Sequence, residues 1–124
     1  MNANVALNSI ELIQSIKSNH LPVIIFGAST VGEVLSHHLE EQGVTVTAFT
    51  ENQIHKTNQL FCDTEVIHTS KLQQRFKDAH FIISAADIED VIHQLNELGF
   101  YHIHAAGTII QDIDLEKKVY SKPL

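Results

Sequence analysis

Continuous apolar runs alternate along the chain with segments of helical spacing, which predicts strands alternating with helices. Residues 23–26 are apolar at every position, as is typical of a central parallel strand with helices on both faces. Residues 44–50 alternate threonine with apolar residues and predict a second strand nearer the sheet edge. Residues 66–67 and 79–84 predict the third and fourth strands, and residues 101–104 predict the last.

Helices are predicted between these strands, because apolar residues recur there every three or four positions. The clearest helix follows Asp87, which stands at the N-cap position, and it ends at Gly99. Another spans about residues 30–42, and a short one begins with Ser70 as its cap. Residues 51–65, by contrast, are polar and predict an irregular loop.

An amphipathic helix is also predicted before the first strand. Asn8 and Glu11 occupy the N-cap and N3 positions of an approximate capping box. The apolar face of this helix consists of Ile10, Ile13 and Ile16. It ends before Pro22, because the residue that precedes a proline disfavours helical geometry.

A glycine turn follows the first predicted strand, with the pattern G-x-S-x-x-G. It consists of Gly27, Ala28, Ser29, Thr30, Val31 and Gly32. The first glycine permits a tight turn, and the last allows close packing of a helix whose N-terminal amides can bind phosphate. Ser29 replaces the middle glycine, and its side chain would either crowd a pyrophosphate or donate a hydrogen bond to it. The turn therefore predicts phosphate or nucleotide binding, with a purely structural turn as the alternative.

A carboxylate follows the second predicted strand. Glu51 lies 19 positions after Gly32 (51 − 32 = 19). A carboxylate at this place accepts hydrogen bonds from ribose hydroxyls and repels a 2′-phosphate, which favours NAD, an AMP-like group or a uridine nucleotide over NADP. We expect Asn52 beside it and Ala85 after the fourth strand to complete the pocket. A solvated loop acid is the alternative for Glu51.

Together these patterns predict an α/β fold, a Rossmann-like doubly wound sheet of five parallel strands in the order 3-2-1-4-5. This order places a crevice between the carboxyl ends of the first and fourth strands, where open α/β sheets bind their ligands. We divide the chain into an N-terminal helix (residues 1–20), the Rossmann-like nucleotide-binding domain (residues 21–107) and a partly helical tail (residues 108–124).

Composition narrows the classes of function. A length of 124 residues with 44% hydrophobic residues indicates one packed globular domain. The formal net charge of -7 makes nucleic acid and anionic membrane surfaces poor partners. No apolar stretch approaches the ~18 residues of a membrane span, and the N-terminus lacks the basic region of a signal peptide, so we expect a cytoplasmic protein. The single cysteine, Cys62, excludes an internal disulfide.

The sequence predicts neither catalytic residues nor metal ligands. It contains no G-x-S-x-G elbow, no Walker lysine after Gly32 and no acid–base pair that can be placed. Nine histidines raise the question of a metal. However, His37 and His38 point in different directions on a helix, and His102 and His104 share a strand face without a third ligand nearby in sequence.

Four segments carry a resemblance to a known family: the glycine turn at residues 27–32, Phe49-Thr-Glu-Asn52, Glu65-Val-Ile67 and Asn96-Glu-Leu-Gly-Phe100. Over about residues 22–107 the sequence resembles the N-terminal Rossmann-like domain of bacterial sugar acyltransferases of the sialic-acid and bacillosamine type. Similar domains accompany some sugar methyltransferases and occur in nucleotide-sugar dehydratases. The departures are serine for the second glycine, glutamate for the usual aspartate and alanine for the proline of the family's "HPSA" motif.

The resemblance implies that the glycine turn, Glu51 and Asn52 hold the nucleotide of a nucleotide-sugar. The family's left-handed β-helix, which supplies the acyl-CoA site, does not fit into residues 108–124. We therefore expect no acyl transfer by this chain alone and a binding role in bacterial surface-polysaccharide synthesis, beside a catalytic partner domain or as a homodimer. The ligand stays open between a UDP-sugar and NAD, the latter making the chain an NAD-binding subunit or sensor. A ligand-free interaction domain, with Ile10, Ile13 and Ile16 as the contact face, is the remaining alternative.

Overall fold

A six-stranded sheet forms the centre of the computed structural model, which describes residues 9–107 and residue 109. The strands are β1 (Val23–Phe26), β2 (Ala48–Glu51), β3 (Leu60–Phe61), β4 (Thr64–His68), β5 (His80–Ile83) and β6 (His102–Ala105). The α-helices are α1 (Ser9–Asn19), α2 (Thr30–Glu41), α3 (Leu72–Arg75) and α4 (Ile88–Glu97). Single 3-10 turns occupy Ile54–Lys56 and Thr69–Lys71.

The strand order is β3-β4-β2-β1-β5-β6, and every pairing except β3 with β4 is parallel. The five parallel strands therefore confirm the predicted order 3-2-1-4-5. The sixth strand, β3, lies in a segment that was expected to be a loop, and it pairs antiparallel with β4. The hairpin turn consists of Cys62 (φ 55°) and Asp63 (φ 58°), both left-handed. Two-residue hairpin turns with left-handed backbones usually contain Asn-Gly. The Cys-Asp pair therefore does not predict a hairpin from sequence.

Two predicted strand boundaries were wrong. The second strand begins at Ala48, opposite Ile24, and not at Val44. Val44 and Val46 are nevertheless buried. The alternating pattern therefore marks the segment that leads into β2, and the apolar side of that segment packs on the core. The third strand runs from Thr64 to His68 and is longer than the predicted apolar pair.

Helices cover both faces of the sheet. On one face, buried residues of α1 and α2 pack against alternate positions of β1, β2 and β5; they include Leu12, Ile16, Leu35, Leu39, Ile25, Phe49 and Ile82. On the other face, α3 and α4 pack against the remaining positions; this core includes Leu72, Val91, Leu95, Ile24, Phe26, Phe81 and Ile83. The central strand β1 thus contributes side chains to both cores, as its continuous apolar run predicted.

The predicted interaction face on the N-terminal helix was wrong. Ile13 and Ile16 are only 6% and 2% exposed, because they pack into the core beneath α1, and Ile10 alone of the three is exposed. Asn8, the expected cap, lies outside the described residues, as does the predicted tail apart from Ile109, which is buried in the same core.

Helix caps also differ from expectation. The backbone N–H of Ser70 donates to Nδ1 of His68 (3.1 Å), so His68 and not Ser70 caps the 3-10 turn that leads into α3. Asp87 stands at the N-cap position of α4, but its side chain makes no capping hydrogen bond.

Three histidines meet near the amino end of β5: His80 and His102 begin their strands, and His104 lies two residues further along β6. The buried His80 has its Nε2 3.2 Å from Nδ2 of Asn19 and its Nδ1 3.3 Å from Nε2 of His104. Because an amide NH₂ can only donate, Nε2 of His80 accepts, and Nδ1 carries the proton that is donated to His104. His102 is engaged separately, with Nε2 3.2 Å from a carboxylate oxygen of Asp78. His80 and His104 are therefore held as neutral rings.

This arrangement disfavours protonation. Burial lowers the pKa of His80, and the neighbouring His102 lowers it further. Burial also lowers the pKa of His104 to about 4, with a further contribution from His80. Since the folded protein resists a proton that the unfolded chain accepts near pH 6.5, the stability contributed here is complete above that pH and is lost as the pH falls toward about 4.

We predict that His104→Gln reduces the acid sensitivity of folding, since a glutamine oxygen can accept from His80 without titrating. The loss of unfolding free energy on acidification should shrink by about 1 to 3 kcal/mol relative to the wild type. Urea unfolding across the pH range measures it. The matched control is His93→Gln on α4, where the side chain is 78% exposed and the acid dependence should stay unchanged. Equal acid sensitivity in the wild type and His104→Gln would contradict the account.

Candidate functional site

The glycine turn brings the end of β1 into direct contact with the first turn of α2. Gly27 is buried and has φ +122°, a left-handed value that strains any side chain. A Cβ on it would collide with the hydroxyl of Ser84, and a Cβ on Gly32 would collide with the carbonyl oxygen of Gly27. Gly32 is therefore required by backbone packing, and Gly27 by its left-handed φ and the adjacent Ser84 hydroxyl. The contact between Gly32 and Gly27 sets where α2 begins.

The buried carboxylate of Glu51 joins this turn to the end of β2. Its Oε2 accepts a hydrogen bond from the backbone N–H of Ala28 at 2.6 Å, and Nζ of Lys56 lies 3.7 Å away from the same oxygen. Glu51 is only 7% exposed. Glu51 is therefore not a solvated loop acid, which was the alternative considered from sequence. One of its carboxylate oxygens accepts a hydrogen bond from the turn, and Lys56 lies close to its charge.

Small exposed side chains surround the N-terminus of α2. Ser29 has an extended backbone (φ −149°) directly before the helix, and its side chain makes no capping hydrogen bond. Its carbonyl accepts the first helical hydrogen bond, from Glu33 at 2.8 Å. Thr30 and Val31 follow as exposed residues of the first turn. Because the first amides of a helix have no acceptor within the helix, this end can receive an anion from solvent.

The crevice expected between Gly27 and Ala85 is narrow. The hydroxyl of Ser84 lies within hydrogen-bond distance of the carbonyl oxygens of Phe26 (3.0 Å) and Gly27 (3.1 Å), so it bridges the ends of β1 and β5. Ala85 is half-buried and packs on the core beneath α4. The adjoining groove of about 330 Å³ is lined by residues 86–90 and carries three carboxylates, which makes it unsuited to phosphate.

The side chain of Asn52 forms hydrogen bonds to two other segments of the fold. Its Nδ2 donates to Oε1 of Gln94 (3.0 Å), and its Oδ1 accepts from Nε2 of Gln94 (2.8 Å) and from the hydroxyl of Thr69 (2.7 Å). These bonds hold the segment after β2 against α4. The amide of Asn52 therefore secures the rim of the sheet.

Sequence reasoning missed Lys56 and Gln94 at this site. It placed Ser84 at the crevice as a small residue but did not predict its hydrogen bonds to the end of β1. Lys56 lies only five positions after Glu51 (56 − 51 = 5), so a cation close to the acidic residue was the available signal. Ser84 and Gln94 are separated by 57 and 42 positions from their partners Gly27 and Asn52. Only the folded topology brings these pairs together.

A second groove, of about 670 Å³, lies along β4. Its walls come from residues 54–60 and from β4 with the turn and helix after it. Ile54 and Leu60 are exposed at this groove by 73% and 69%. On the same wall Arg75 pairs with Glu65 at 2.6 Å. Two cationic residues line this groove, Lys71 and Arg75, and the charge of Arg75 is compensated by Glu65.

Comparison with known proteins supports the fold. No protein-family model and no curated protein matches the sequence. Among solved structures, the chain is similar to UDP-D-quinovosamine 4-dehydrogenase from Vibrio fischeri, with a TM-score of 0.53 and 18% identity over 68% of this chain and 75% of that chain. The protein therefore has a Rossmann-like α/β fold. No helix within the described part of the chain is long and apolar enough to cross a membrane.

We predict that Gly32→Ala destabilises the domain by about 1 to 3 kcal/mol, because the added methyl group must push α2 away from the end of β1. The midpoint of urea unfolding measures this loss. Gly107→Ala is the matched control, since a Cβ there meets nothing within 4 Å and its φ is not left-handed. Equal urea midpoints for the two variants would show that the backbone of α2 at Gly32 does not pack tightly against the carbonyl of Gly27.

Proposed function

We propose that this protein is a nucleotide-binding module that takes a nucleotide-sugar, with its phosphates at the N-terminus of α2. The observation that carries the proposal is the glycine turn. The close approach of Gly32 to the carbonyl of Gly27 places the open N-terminal amides of a twelve-residue helix at the carboxyl edge of the sheet. Ligands of open α/β sheets bind at that edge. The exposed residues Ser29, Thr30 and Val31 leave the approach free of bulky side chains.

Glu51 has a double role in this proposal. One oxygen holds the N–H of Ala28 and so fixes the shape of the turn. Its other oxygen is the acceptor for a ribose hydroxyl at the end of β2. Lys56 beside it offsets the carboxylate charge, and this weakens the repulsion of a 2′-phosphate on which the preference for NAD over NADP was based. Ala85 and Asn52 serve as walls of the pocket.

A uridine diphosphate sugar is the first ligand to test. The similar solved structure is that of an enzyme named for a UDP-sugar, and the resemblance to nucleotide-sugar-binding domains points to the same class. NAD is the second candidate, because the turn and Glu51 fit the dinucleotide pattern except at Ser29. We propose that the domain acts without chemistry of its own, in sugar biosynthesis, beside a catalytic partner domain.

A protein–protein interaction domain is the alternative function, and the exposed apolar residues at the β3–β4 edge favour it. Ile54 and Leu60 are exposed along the groove at the β3–β4 edge, and an edge strand can pair with another chain. This surface replaces the face on α1 that was expected from sequence. The alternative requires no nucleotide.

We predict that Ser29→Asp weakens nucleotide binding without unfolding the protein. Aspartate is a good N-cap and its charge favours a helix N-terminus, yet it repels a phosphate placed there. Affinity for UDP-N-acetylglucosamine should fall at least about tenfold, measured by calorimetry, whereas the stability of the free protein is kept or raised. The matched control is Ser29→Asn, a neutral cap of the same size, which should bind within a few-fold of the wild type.

Ligand choice is decided by thermal shift on the wild type with UDP-N-acetylglucosamine, NAD, NADP, AMP and S-adenosylmethionine in parallel. A bound ligand at a hundredfold excess over its Kd stabilises by about 2.7 kcal/mol. Stabilisation by UDP-N-acetylglucosamine alone supports the proposal. Stabilisation by NAD alone would identify NAD, and not a nucleotide-sugar, as the ligand. Indifference to all five would overturn the binding function and leave the interaction domain.

A further inference from the structure

Three side chains with metal-binding atoms meet on the outer side of α2. Glu33 and His37 are one helical turn apart, and Cys62 comes from the β3–β4 hairpin turn. One carboxylate oxygen, one imidazole nitrogen and the sulfur all lie within 4.8 Å of one another. Nε2 of His37 is 3.9 Å from Oε2 of Glu33. His37 was weighed from sequence together with His38, whereas Glu33 and Cys62 were not considered as its partners.

Rigid packing holds the elements that carry these side chains. Helix α2 is anchored by Leu35 and Leu39, which are fully buried. The hairpin is anchored by Phe61, whose ring packs edge-on against Phe49 with centroids 5.0 Å apart. Cys62 itself is half-buried against the same core, so its sulfur is fixed beside the helix.

The charge around the three residues favours a cation. The carboxylates of Glu33, Asp63 and Glu40 place negative charge around the Cys62 sulfur. Such a concentration of negative charge opposes a bare thiolate. A divalent cation reverses that balance, because it attracts the same carboxylates and stabilises the thiolate directly.

We propose that Glu33, His37 and Cys62 form a binding site for Zn²⁺ or a cation of the same type. A carboxylate oxygen, an imidazole nitrogen and a thiolate are all zinc ligands, with bonds of about 2.0 to 2.3 Å that place tetrahedral ligands about 3.5 Å apart. Movement of about 1 Å by the exposed Glu33 and His37 side chains closes the site. The thiol proton passes to solvent when the ion binds, and three protein ligands leave the fourth position open to water.

The site would join α2 to the β3–β4 hairpin and is independent of the proposed nucleotide function. It departs from the prediction of no metal ligands. That prediction compared residues close in sequence, whereas Cys62 lies 25 positions after His37 (62 − 37 = 25). The spacing of Glu33 and His37 on one helix face was the part of the signal present in the sequence.

Titration of tag-free, metal-free protein with Co²⁺ tests the proposal, because cobalt reports its ligands by absorption. We expect one ion per chain, strong visible bands of a tetrahedral ion, and a near-ultraviolet band from thiolate-to-cobalt charge transfer. Zn²⁺ should displace the cobalt. Cys62→Ser should remove the charge-transfer band, and His37→Ala should weaken binding by at least about tenfold.

The matched control is His93→Ala. His93 and Glu97 form a pair at the same spacing on α4, with 3.5 Å between Nε2 and Oε2, so this variant removes an equivalent exposed histidine pair outside the proposed site. Its cobalt spectrum and affinity should equal those of the wild type. His37 is 68% exposed, so His37→Ala should remain folded even if Cys62→Ser does not. Failure to bind cobalt, cobalt bound without the thiolate band, or unchanged affinity in His37→Ala would each overturn the proposal.

Discussion

The contact between the backbone of Gly32 and the carbonyl of Gly27 determines the arrangement of everything around it. Because neither residue has a side chain, α2 can start where β1 ends, and its N-terminal amides come to the edge of the sheet. Larger residues would separate the helix from the strand and would also clash with Ser84. The orientation of α2, the burial of its apolar stripe and the shape of the candidate site follow from this approach.

A buried carboxylate completes the same junction. Glu51 accepts the N–H of Ala28, while the N–H of Gly27 donates to the carbonyl of Thr50 at 3.0 Å. The turn after β1 is therefore fastened to the end of β2 by two hydrogen bonds, one of them to a charged acceptor. On the other side Ser84 ties β1 to β5. A phosphate arriving at α2 would meet a preorganised turn, which reduces the ordering cost of binding.

The sequence was sufficient for the fold because its strongest signals are local. The apolar run 23–26, the helix after Asp87 and the glycine turn each specify an element by their own periodicity, and right-handed parallel connections then limit the strand order. The hairpin at Leu60 was missed because Cys62 and Asp63 adopt left-handed backbones that are usually taken by asparagine and glycine.

The candidate site was less predictable because its decisive contacts join distant parts of the chain. The sequence placed Glu51 at the end of a strand, but nothing local indicated that its oxygen would accept from Ala28, 23 positions away. The pairing of Asn52 with Gln94 and the bridging by Ser84 depend in the same way on the long-range pairing of β5 with β1. The apolar face of α1 was misassigned for a related reason: periodicity shows that a helix has an apolar face, but not which surface covers it.

Amide NMR of isotope-labelled protein during titration with UDP-N-acetylglucosamine tests the central claim most directly, because it locates the ligand as well as detecting it. We expect saturable shifts concentrated at residues 28–32 and at Glu51, with the residues around Leu60 and Arg75 unaffected. Shifts centred on the groove along β4, or an unchanged spectrum at saturating ligand, would contradict a phosphate site at the N-terminus of α2.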